Sequence, residues 1–208
     1  NEYDMIITSM PIYLKVKKDG KYGVLKNDGT PITDIIYDFI SNQLESPGIP
    51  EWPSIVIKKE KYGLLNEKGE EIYQPKAIKI EYVGEGNYSV KEKKNCGLLN
   101  SKCSNEYNPQ YDLISQFGEG LAAARKNGKW GYITTKGEEK IKPQFDEAGV
   151  FIDYLAPVKI NGLWGVIDVN GKLLIPAEFD RYVVLPDNTR KLYKGDKEFT
   201  ILKGGKLK

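Results

Sequence analysis

Histidine is absent from this chain of 208 residues. That absence excludes catalytic dyads and triads with an imidazole base, imidazole ligands to metals, and the usual proton shuttle near neutral pH. Only two cysteines are present, Cys96 and Cys103, too few for a disulfide scaffold or for a four-ligand zinc site. Any catalysis would fall to carboxylates, lysine, tyrosine or a bound cofactor. We nevertheless expect no metal, no cofactor and no catalytic residue.

Neither sign of charge predominates in the sequence. Lys and Arg number 31 and Asp and Glu number 29, a net charge of +2 that does not indicate nucleic acid or an anionic membrane as partner. The apolar runs are too short to span a bilayer, and the chain, which begins at Asn1, shows no signal-peptide pattern. We expect a soluble protein and leave its compartment open, with a lean towards export or the cell surface.

A recurring tetrad, aromatic-Gly-aliphatic-aliphatic, organises the sequence. Its copies begin at Tyr22, Tyr62, Cys96, Trp130 and Trp164, with a decayed sixth copy read as Phe199-Thr200-Ile201-Leu202. The second position of the tetrad is occupied in turn by Gly23, Gly63, Gly97, Gly131, Gly165 and Thr200. These positions lie 40, 34, 34, 34 and 35 residues apart. Such a regular period is typical of repeat architectures.

The residues around the tetrad repeat as well. A small aliphatic residue stands seven positions before most of the glycines, and a Tyr-Asp or Phe-Asp pair stands about twenty positions before. We therefore divide the chain into six repeats within a single repeat domain, 1–208. The repeats are 3–36, 37–76, 77–110, 111–144, 145–178 and 179–208.

The fourth and fifth repeats carry a resemblance to a known family. Lys129-Trp130-Gly131-Tyr132-Ile133, followed by Lys136-Gly137, resembles the consensus of the WG-repeat family of bacterial proteins, as does Gly118-Glu119-Gly120-Leu121-Ala122-Ala123. The first three repeats match more loosely, with Tyr or Cys in place of Trp. The resemblance implies a β-repeat architecture of variable copy number and no common catalytic residue.

Each repeat shows three or four short β-segments and no helical period. Asn127-Gly128 is a two-residue hairpin signal, and Pro143, which lacks an amide donor, is predicted to end the third strand. Gly131 is predicted to leave room for an aromatic side chain of the next repeat. Trp130 and Trp164 are predicted to be mostly buried between repeats.

These features predict an all-β fold of six stacked antiparallel β-meanders of about 34 residues. Because the tetrad strand has groups to bury on both faces, its cover must come from neighbouring repeats. We prefer an open curved solenoid, since variable copy number suits an open array. A closed six-bladed, propeller-like ring is the alternative.

Acidic residues recur in phase and invite a catalytic or calcium-binding interpretation. The Asp of the Tyr-Asp and Phe-Asp pairs is better explained as a cap on a turn. Glu70-Glu71 and Glu138-Glu139 could form a hydrolytic carboxylate pair, but they directly follow turn glycines, where solvated charge is expected. Gly84-Glu85-Gly86 and Gly118-Glu119-Gly120 share one repeat phase and are predicted to be turns.

Basic residues occupy the position six before the tetrad glycine. That position reads Lys17, Ile57, Lys91, Arg125, Lys159 and Lys194. Stacked repeats would align it as a basic stripe, either a groove for an acidic partner or an edge strand protected by lysine against aggregation. We favour the protective role, but keep Lys91, Arg125 and Lys159 as candidate partner-binding residues.

An insertion interrupts the second repeat between Ser41 and Pro53. It carries three prolines and places Leu44, Ile49 and Trp52 where a loop is normally polar. These side chains could anchor a partner on a loop stiffened by proline, or Trp52 could fold back over the array. Both interpretations stay open.

The sequence thus favours a non-enzymatic binding or scaffold protein that presents an extended repeat surface to a protein partner. A module for glycan or cell-wall polymer is the alternative, and a carboxylate-dependent hydrolase is a third. Cys96 and Cys103 are predicted to be unjoined, because one lies on a strand and the other in the turn beyond it.

Overall fold

The computed structural model describes residues 3–7, 13–41, 52–103 and 108–208. The prediction of an all-β repeat fold is confirmed. The described residues form six antiparallel sheets of three or four strands each, none of them closed. Helical structure in these residues is limited to a short 3-10 turn at Lys203–Gly205.

Three sheets come from the first half of the chain. Sheet 1 contains β1 (Met5–Ile7), β2 (Tyr13–Lys18) and β3 (Lys21–Lys26). Sheet 2 contains β4 (Phe39–Ile40), β5 (Ser54–Lys58), β6 (Lys61–Leu65) and β7 (Glu71–Ala77). Sheet 3 contains β8 (Lys79–Gly84), β9 (Asn87–Lys91) and β10 (Cys96–Asn100).

The second half of the chain forms three four-stranded sheets. Sheet 4 contains β11 (Leu113–Gly118), β12 (Leu121–Lys126), β13 (Lys129–Thr134) and β14 (Glu139–Phe145). Sheet 5 contains β15 (Glu147–Ala148), β16 (Leu155–Ile160), β17 (Leu163–Asp168) and β18 (Leu173–Phe179). Sheet 6 contains β19 (Arg181–Val184), β20 (Arg190–Lys194), β21 (Lys197–Leu202) and β22 (Lys206–Leu207).

The strands of each sheet follow one another in chain order, so that neighbours are joined by hairpins. The described residues group into two compact units, one within residues 1–82 and 86–109 and the other within 83–85 and 110–208.

The recurring Asp holds the hairpin turn of its own sheet. In sheet 5, the backbone N–H of Gly162 donates to Asp146 Oδ2 over 3.2 Å, and in sheet 6 the N–H of Gly195 donates to Asp180 Oδ2 over 2.7 Å. Asp4, Asp38 and Asp112 accept equivalent backbone hydrogen bonds from their own turns. The prediction of a turn-capping role is confirmed, and it explains why an Asp recurs here.

The predicted hairpin turn at Asn127-Gly128 is confirmed. Both residues have positive φ, 53° and 81°, and they connect β12 to β13 with Lys126 opposite Lys129. This conformation matches the right-handed twist of the flanking strands, which is why Asn and Gly are favoured there.

The tetrad glycines make room for a bulge in the next strand of the same sheet. Between β13 and β14, Trp130 lies opposite Phe145 and Tyr132 lies opposite Ile141, so β14 has two extra residues in this stretch. A Cβ built on Gly131 would lie 2.3 Å from the Ile141 carbonyl oxygen and 2.7 Å from the Pro143 nitrogen. Gly63 and Gly165 face the same bulge in sheets 2 and 5.

Two predictions about the strands β13 and β14 are wrong. Gly131 is crowded by the backbone of β14 within its own sheet and does not make room for an aromatic residue of the next repeat. Pro143 does not end the third strand, since β14 continues to Phe145. The physical reason is the bulge, which takes Pro143 out of the hydrogen-bonded ladder, so that its missing amide costs no bond there.

The hydrophobic cores lie between consecutive sheets. In the second unit, one buried cluster joins Tyr132 and Ile141 of sheet 4 to Val158 and Ile167 of sheet 5. Another joins sheet 5 to sheet 6, and two clusters in the first unit join sheet 1 to sheet 2 and sheet 2 to sheet 3. Within each unit, neighbouring repeats therefore cover each other's strands, as the sequence predicted.

The sixth repeat is shifted by one residue from its predicted alignment. Leu192 pairs with Phe199, as Val158 pairs with Gly165 in sheet 5. Phe199, not Thr200, therefore takes the place of the tetrad glycine, and the 34-residue period holds to the end of the chain. The error arose because the glycine that marks the register is lost in this repeat.

The two cysteines are free, as predicted. Cys96 is buried on β10, where it takes the place of the tetrad aromatic residue. Cys103 is partly buried in the following turn and has a positive φ of 48°. Burial raises the pKa of its thiol.

Candidate interaction face

One row of side chains crosses each sheet through the tetrad aromatic position; we call it the tetrad row. In sheet 4, the row consists of Leu113, Arg125, Trp130 and Phe145, paired strand to strand. Directly opposed residues of antiparallel strands point to the same face of a sheet. Leu113 is 48% exposed, Arg125 is exposed, Trp130 is partly buried and Phe145 is buried. The row thus runs from an exposed apolar side chain into the core.

Sheet 1 has an equivalent row at the other end of the sequence. Met5 lies opposite Lys17, and Lys17 lies opposite Tyr22. Met5 is 50% exposed, and the Lys17 Nζ lies 5.1 Å from the centre of the Tyr22 ring. The arrangement again places an exposed apolar residue beside a cation and an aromatic ring.

The other rows vary this pattern. In sheet 5, the Lys159 Nζ lies 2.8 Å from Glu147 Oε1 and 5.4 Å from the centre of the Trp164 ring. In sheet 6, the Arg181 guanidinium lies 4.1 Å from the centre of the Tyr193 ring. The row of sheet 2 has no cation: it consists of Phe39, Ile57, Tyr62 and Ala77.

The predicted basic positions lie in the middle of their sheets. Lys91, Arg125 and Lys159 are on β9, β12 and β16, each of which has a hydrogen-bonded strand on both sides. Protection of an edge strand therefore does not explain them, and that interpretation is wrong. In the sixth repeat, the equivalent position is Tyr193 and not Lys194, because of the one-residue shift.

The predicted contact loop is described only at its end. Leu44 and Ile49 lie outside the described residues. Trp52 is partly buried and packs against the core cluster shared by sheets 1 and 2, with its ring centre 5.4 Å from that of Tyr13. This placement fits the interpretation in which Trp52 folds back onto the array. Its role in binding a partner stays a prediction.

The tetrad aromatic residues contribute to packing without being fully enclosed. Trp130 and Trp164 are partly buried and contact the core clusters of the second unit. The neighbouring Tyr132 is 1% exposed and donates a hydrogen bond to the Gly149 carbonyl over 2.8 Å. Both tryptophans are partly exposed and belong to the tetrad rows of their sheets.

The paired carboxylates make structural contacts. Glu139 accepts from Lys126 Nζ over 2.9 Å, and Glu71 accepts from the Tyr37 hydroxyl over 2.9 Å. Glu70 accepts from the side-chain amide of Asn66 over 2.6 Å. Across the described ranges, no group of three or more Cys, Asp or Glu residues is placed to hold a metal ion.

Two of the turn-capping aspartates also pair with lysine. Lys129 Nζ lies 2.5 Å from Asp146 Oδ1, and Lys21 bonds Asp38 in the same way. The lysine hydrogen bond, followed by the backbone N–H of the turn, lowers the pKa of both carboxyl groups. The carboxylates of Asp146 and Asp38 therefore act in stabilising the hairpin turns.

Leu113 and Met5 were missed in the sequence. Each immediately follows the Asp of a Tyr-Asp pair, so the repeat phase marked the position. Their types differ from repeat to repeat, with Phe39, Glu147 and Arg181 at equivalent places, and a packing argument gives no reason to notice a variable residue. A search for variable positions beside a fixed aromatic would have found them.

Comparison with known families identifies the repeat. The family model described as WG containing repeat matches residues 107–130, 130–164 and 164–183. Residues 107–183 therefore carry WG repeats. In sheet 2, outside the matched residues, the Gly63 packing and the Asp38 cap resemble those of sheets 4 and 5.

No curated protein matches the chain. Solved structures with similarity include a eukaryotic initiation factor, with TM-score 0.49, 10% identity, and coverage of 95% of this chain and 62% of that one. Hsv2 of Kluyveromyces lactis has a TM-score of 0.42 and 9% identity, with coverage of 92% of this chain and 72% of that one. The WD40 domain of Neurospora crassa Pan2 has a TM-score of 0.36 and 12% identity, with coverage of 95% of this chain and 74% of that one. No helix in the described part of the chain is long and apolar enough to cross a membrane.

Proposed function

We propose that this WG-repeat chain is a non-enzymatic binding protein that presents its tetrad rows to a protein partner. The observation that carries the proposal is the row of sheet 4, where exposed Leu113 lies opposite exposed Arg125 and Arg125 lies opposite the partly buried Trp130. Aromatic residues, Met and Arg are enriched at protein interfaces, and Trp, Tyr and Arg dominate their binding energy.

The rest of the repeat signature supports this interpretation. The tetrad glycines accommodate bulges, the recurring aspartates cap turns, and the paired glutamates bind lysine, tyrosine or asparagine. These residues are accounted for by folding. Met5 and Leu113, the first residues of the rows in sheets 1 and 4, are apolar and about half exposed, so neither is accounted for in this way and both are available for specificity.

The experiment places a photo-crosslinking amino acid, benzoylphenylalanine, at position 113 in the full chain. The matched control places it at Leu173, which is 41% exposed but lies outside the tetrad row. We expect a discrete protein adduct from position 113 and none from position 173 when the protein is irradiated in an extract of its own cells. Equal adducts from both positions, or none from 113, would contradict the proposal.

A further inference from the structure

The second unit contains a cavity of about 450 Å³ beside an exposed tyrosine. Its lining includes Tyr154, Leu155 and Leu174, and it also includes Asp168 and Lys203. The volume lies within the range of about 300–1,000 Å³ typical of small-molecule sites. Tyr154 is 64% exposed, the highest exposure among the large hydrophobic side chains of the described residues.

Tyr154 stands where the other repeats have residues that tolerate a left-handed backbone. The equivalent positions, spaced by 34 residues, are Gly86, Gly120 and Asn188. All four have positive φ: 71° and 79° at the two glycines, 62° at Tyr154 and 63° at Asn188. A bulky aromatic residue in this region is a clear outlier and costs of the order of 1 kcal/mol or more. Tyr154 is the one aromatic residue among the positive-φ residues described.

Hydrogen bonds from the Arg190 side chain hold the strained turn in place. Arg190 is 7% exposed, and it donates one hydrogen bond to the Ile152 carbonyl over 2.7 Å and another to Asp153 Oδ2 over 3.0 Å. Ile152 and Leu155 close the turn with two backbone hydrogen bonds. The aromatic ring therefore stands on a fixed base, which reduces the entropy lost when a ligand binds.

We propose that Tyr154 forms a binding platform for a neutral sugar ring, as found in a glycan. The C–H face of a pyranose stacks on an exposed aromatic ring, and Leu155 and Leu174 extend the apolar wall of the cavity. Sugar hydroxyls both donate and accept hydrogen bonds, and the rim offers a carboxylate acceptor in Asp168 and an ammonium donor in Lys203.

The charges on the rim favour a neutral ligand. The carboxylate of Asp153 is paired with Arg190, and the rest of the lining carries one carboxylate, Asp168, and one ammonium group, Lys203. Asp168 uses Oδ1 to accept from the backbone N–H groups of Asn170 and Lys172, both over 2.9 Å. That contact fixes its carboxylate at the rim. The site is separate from Leu113, and the inference does not rest on the protein-binding proposal.

The test uses Tyr154→Gly, which restores the residue found in the third and fourth repeats. Because glycine adopts positive φ without strain, this variant should melt at the same temperature as the wild type or higher. Its affinity for a sugar should nevertheless fall at least tenfold. Tyr154→Phe is the matched control and should retain both stacking and binding.

Binding is measured by saturation-transfer NMR and calorimetry with soluble hexasaccharides of glucose, N-acetylglucosamine, mannose and xylose, and with hexagalacturonate as an acidic comparison. We expect at least one neutral hexasaccharide to bind at millimolar concentration or tighter, and more tightly than hexagalacturonate. Failure of every neutral hexasaccharide, or unchanged binding by Tyr154→Gly, would overturn the proposal. The proposal would also be overturned if Tyr154→Gly abolished the protein adduct at position 113 while its affinity for sugars stayed unchanged. Tyr154 would then belong to a protein interface.

Discussion

Replacing Gly131 by alanine is the sharpest perturbation of the repeat. The added Cβ would lie 2.3 Å from the Ile141 carbonyl oxygen and 2.8 Å from the Lys142 carbonyl carbon. These are backbone atoms that cannot rotate away, so β14 must move by roughly 1 Å and strain its ladder. We estimate about 3 kcal/mol for this overpacking, less about 1 kcal/mol because alanine restricts the unfolded chain. The net loss should be about 2 kcal/mol.

The assay is thermal and urea unfolding followed by circular dichroism. For a chain of this length, about 2 kcal/mol lowers the melting temperature by roughly 4–8 °C. Gly137→Ala is the control, since it has a φ of 82° but no atom within 4 Å of its Cβ. Its backbone strain of about 1–2 kcal/mol is offset by the same gain of about 1 kcal/mol from the unfolded chain, so the net loss should stay at or below about 1 kcal/mol.

The other tetrad glycines extend the prediction to a series. The nearest backbone oxygen to the added Cβ is at 2.3 Å for Gly131, 2.7 Å for Gly63 and Gly165, and 3.0 Å for Gly23. Alanine should therefore destabilise most at Gly131 and least at Gly23. If Gly131→Ala costs no more than Gly137→Ala, or if the series is flat, the bulge does not explain the glycine.

Three further predictions concern other parts of the fold. Because the pKa values of Asp38 and Asp146 are lowered in the folded protein, both carboxylates stabilise the fold at pH values above their unfolded pKa. The urea midpoint should therefore fall as the pH drops from about 5 to about 2. The fall should be less steep in the double variant Asp38→Asn, Asp146→Asn. In a thiol titration without reductant, both cysteines should react in the unfolded protein, because they are not joined. In the native protein Cys103 should react before the buried Cys96. Because burial raises the pKa of Cys103, its reaction should be slow at neutral pH and faster as the pH rises. Trp52→Ala should lower stability by about 2–4 kcal/mol in urea unfolding, because its ring packs on the core; an unchanged midpoint would return Trp52 to the role of a free contact residue.

The sequence was most informative about features with a local cause. The hairpin at Asn127-Gly128 and the cap by Asp146 follow from turn chemistry within a few residues, and both could be predicted. The all-β repeat and the covering of each strand by its neighbours follow from the 34-residue period and from two-sided burial.

Features that depend on pairing between strands were harder to predict. The bulge opposite Gly131 depends on the register between two strands, which the sequence of either strand alone does not reveal, so Pro143 was mistaken for a strand end. The register of the sixth repeat was lost with its glycine, whereas the pairing of Lys194 with Lys197 fixes it in the structure. Leu113 escaped notice because the residue type at its position varies from repeat to repeat, although the repeat phase marks the position itself.

The central claim is that the tetrad row binds a protein partner, and one comparison of affinities tests it directly. The protein captured at position 113 is purified and titrated against the wild type, Leu113→Asp and the matched control Leu173→Asp. We predict that Leu113→Asp weakens binding at least tenfold, which corresponds to about 1.4 kcal/mol, with an unchanged melting temperature. Leu173→Asp should bind like the wild type. Equal affinities for all three proteins would contradict the assignment of the tetrad row as the binding face.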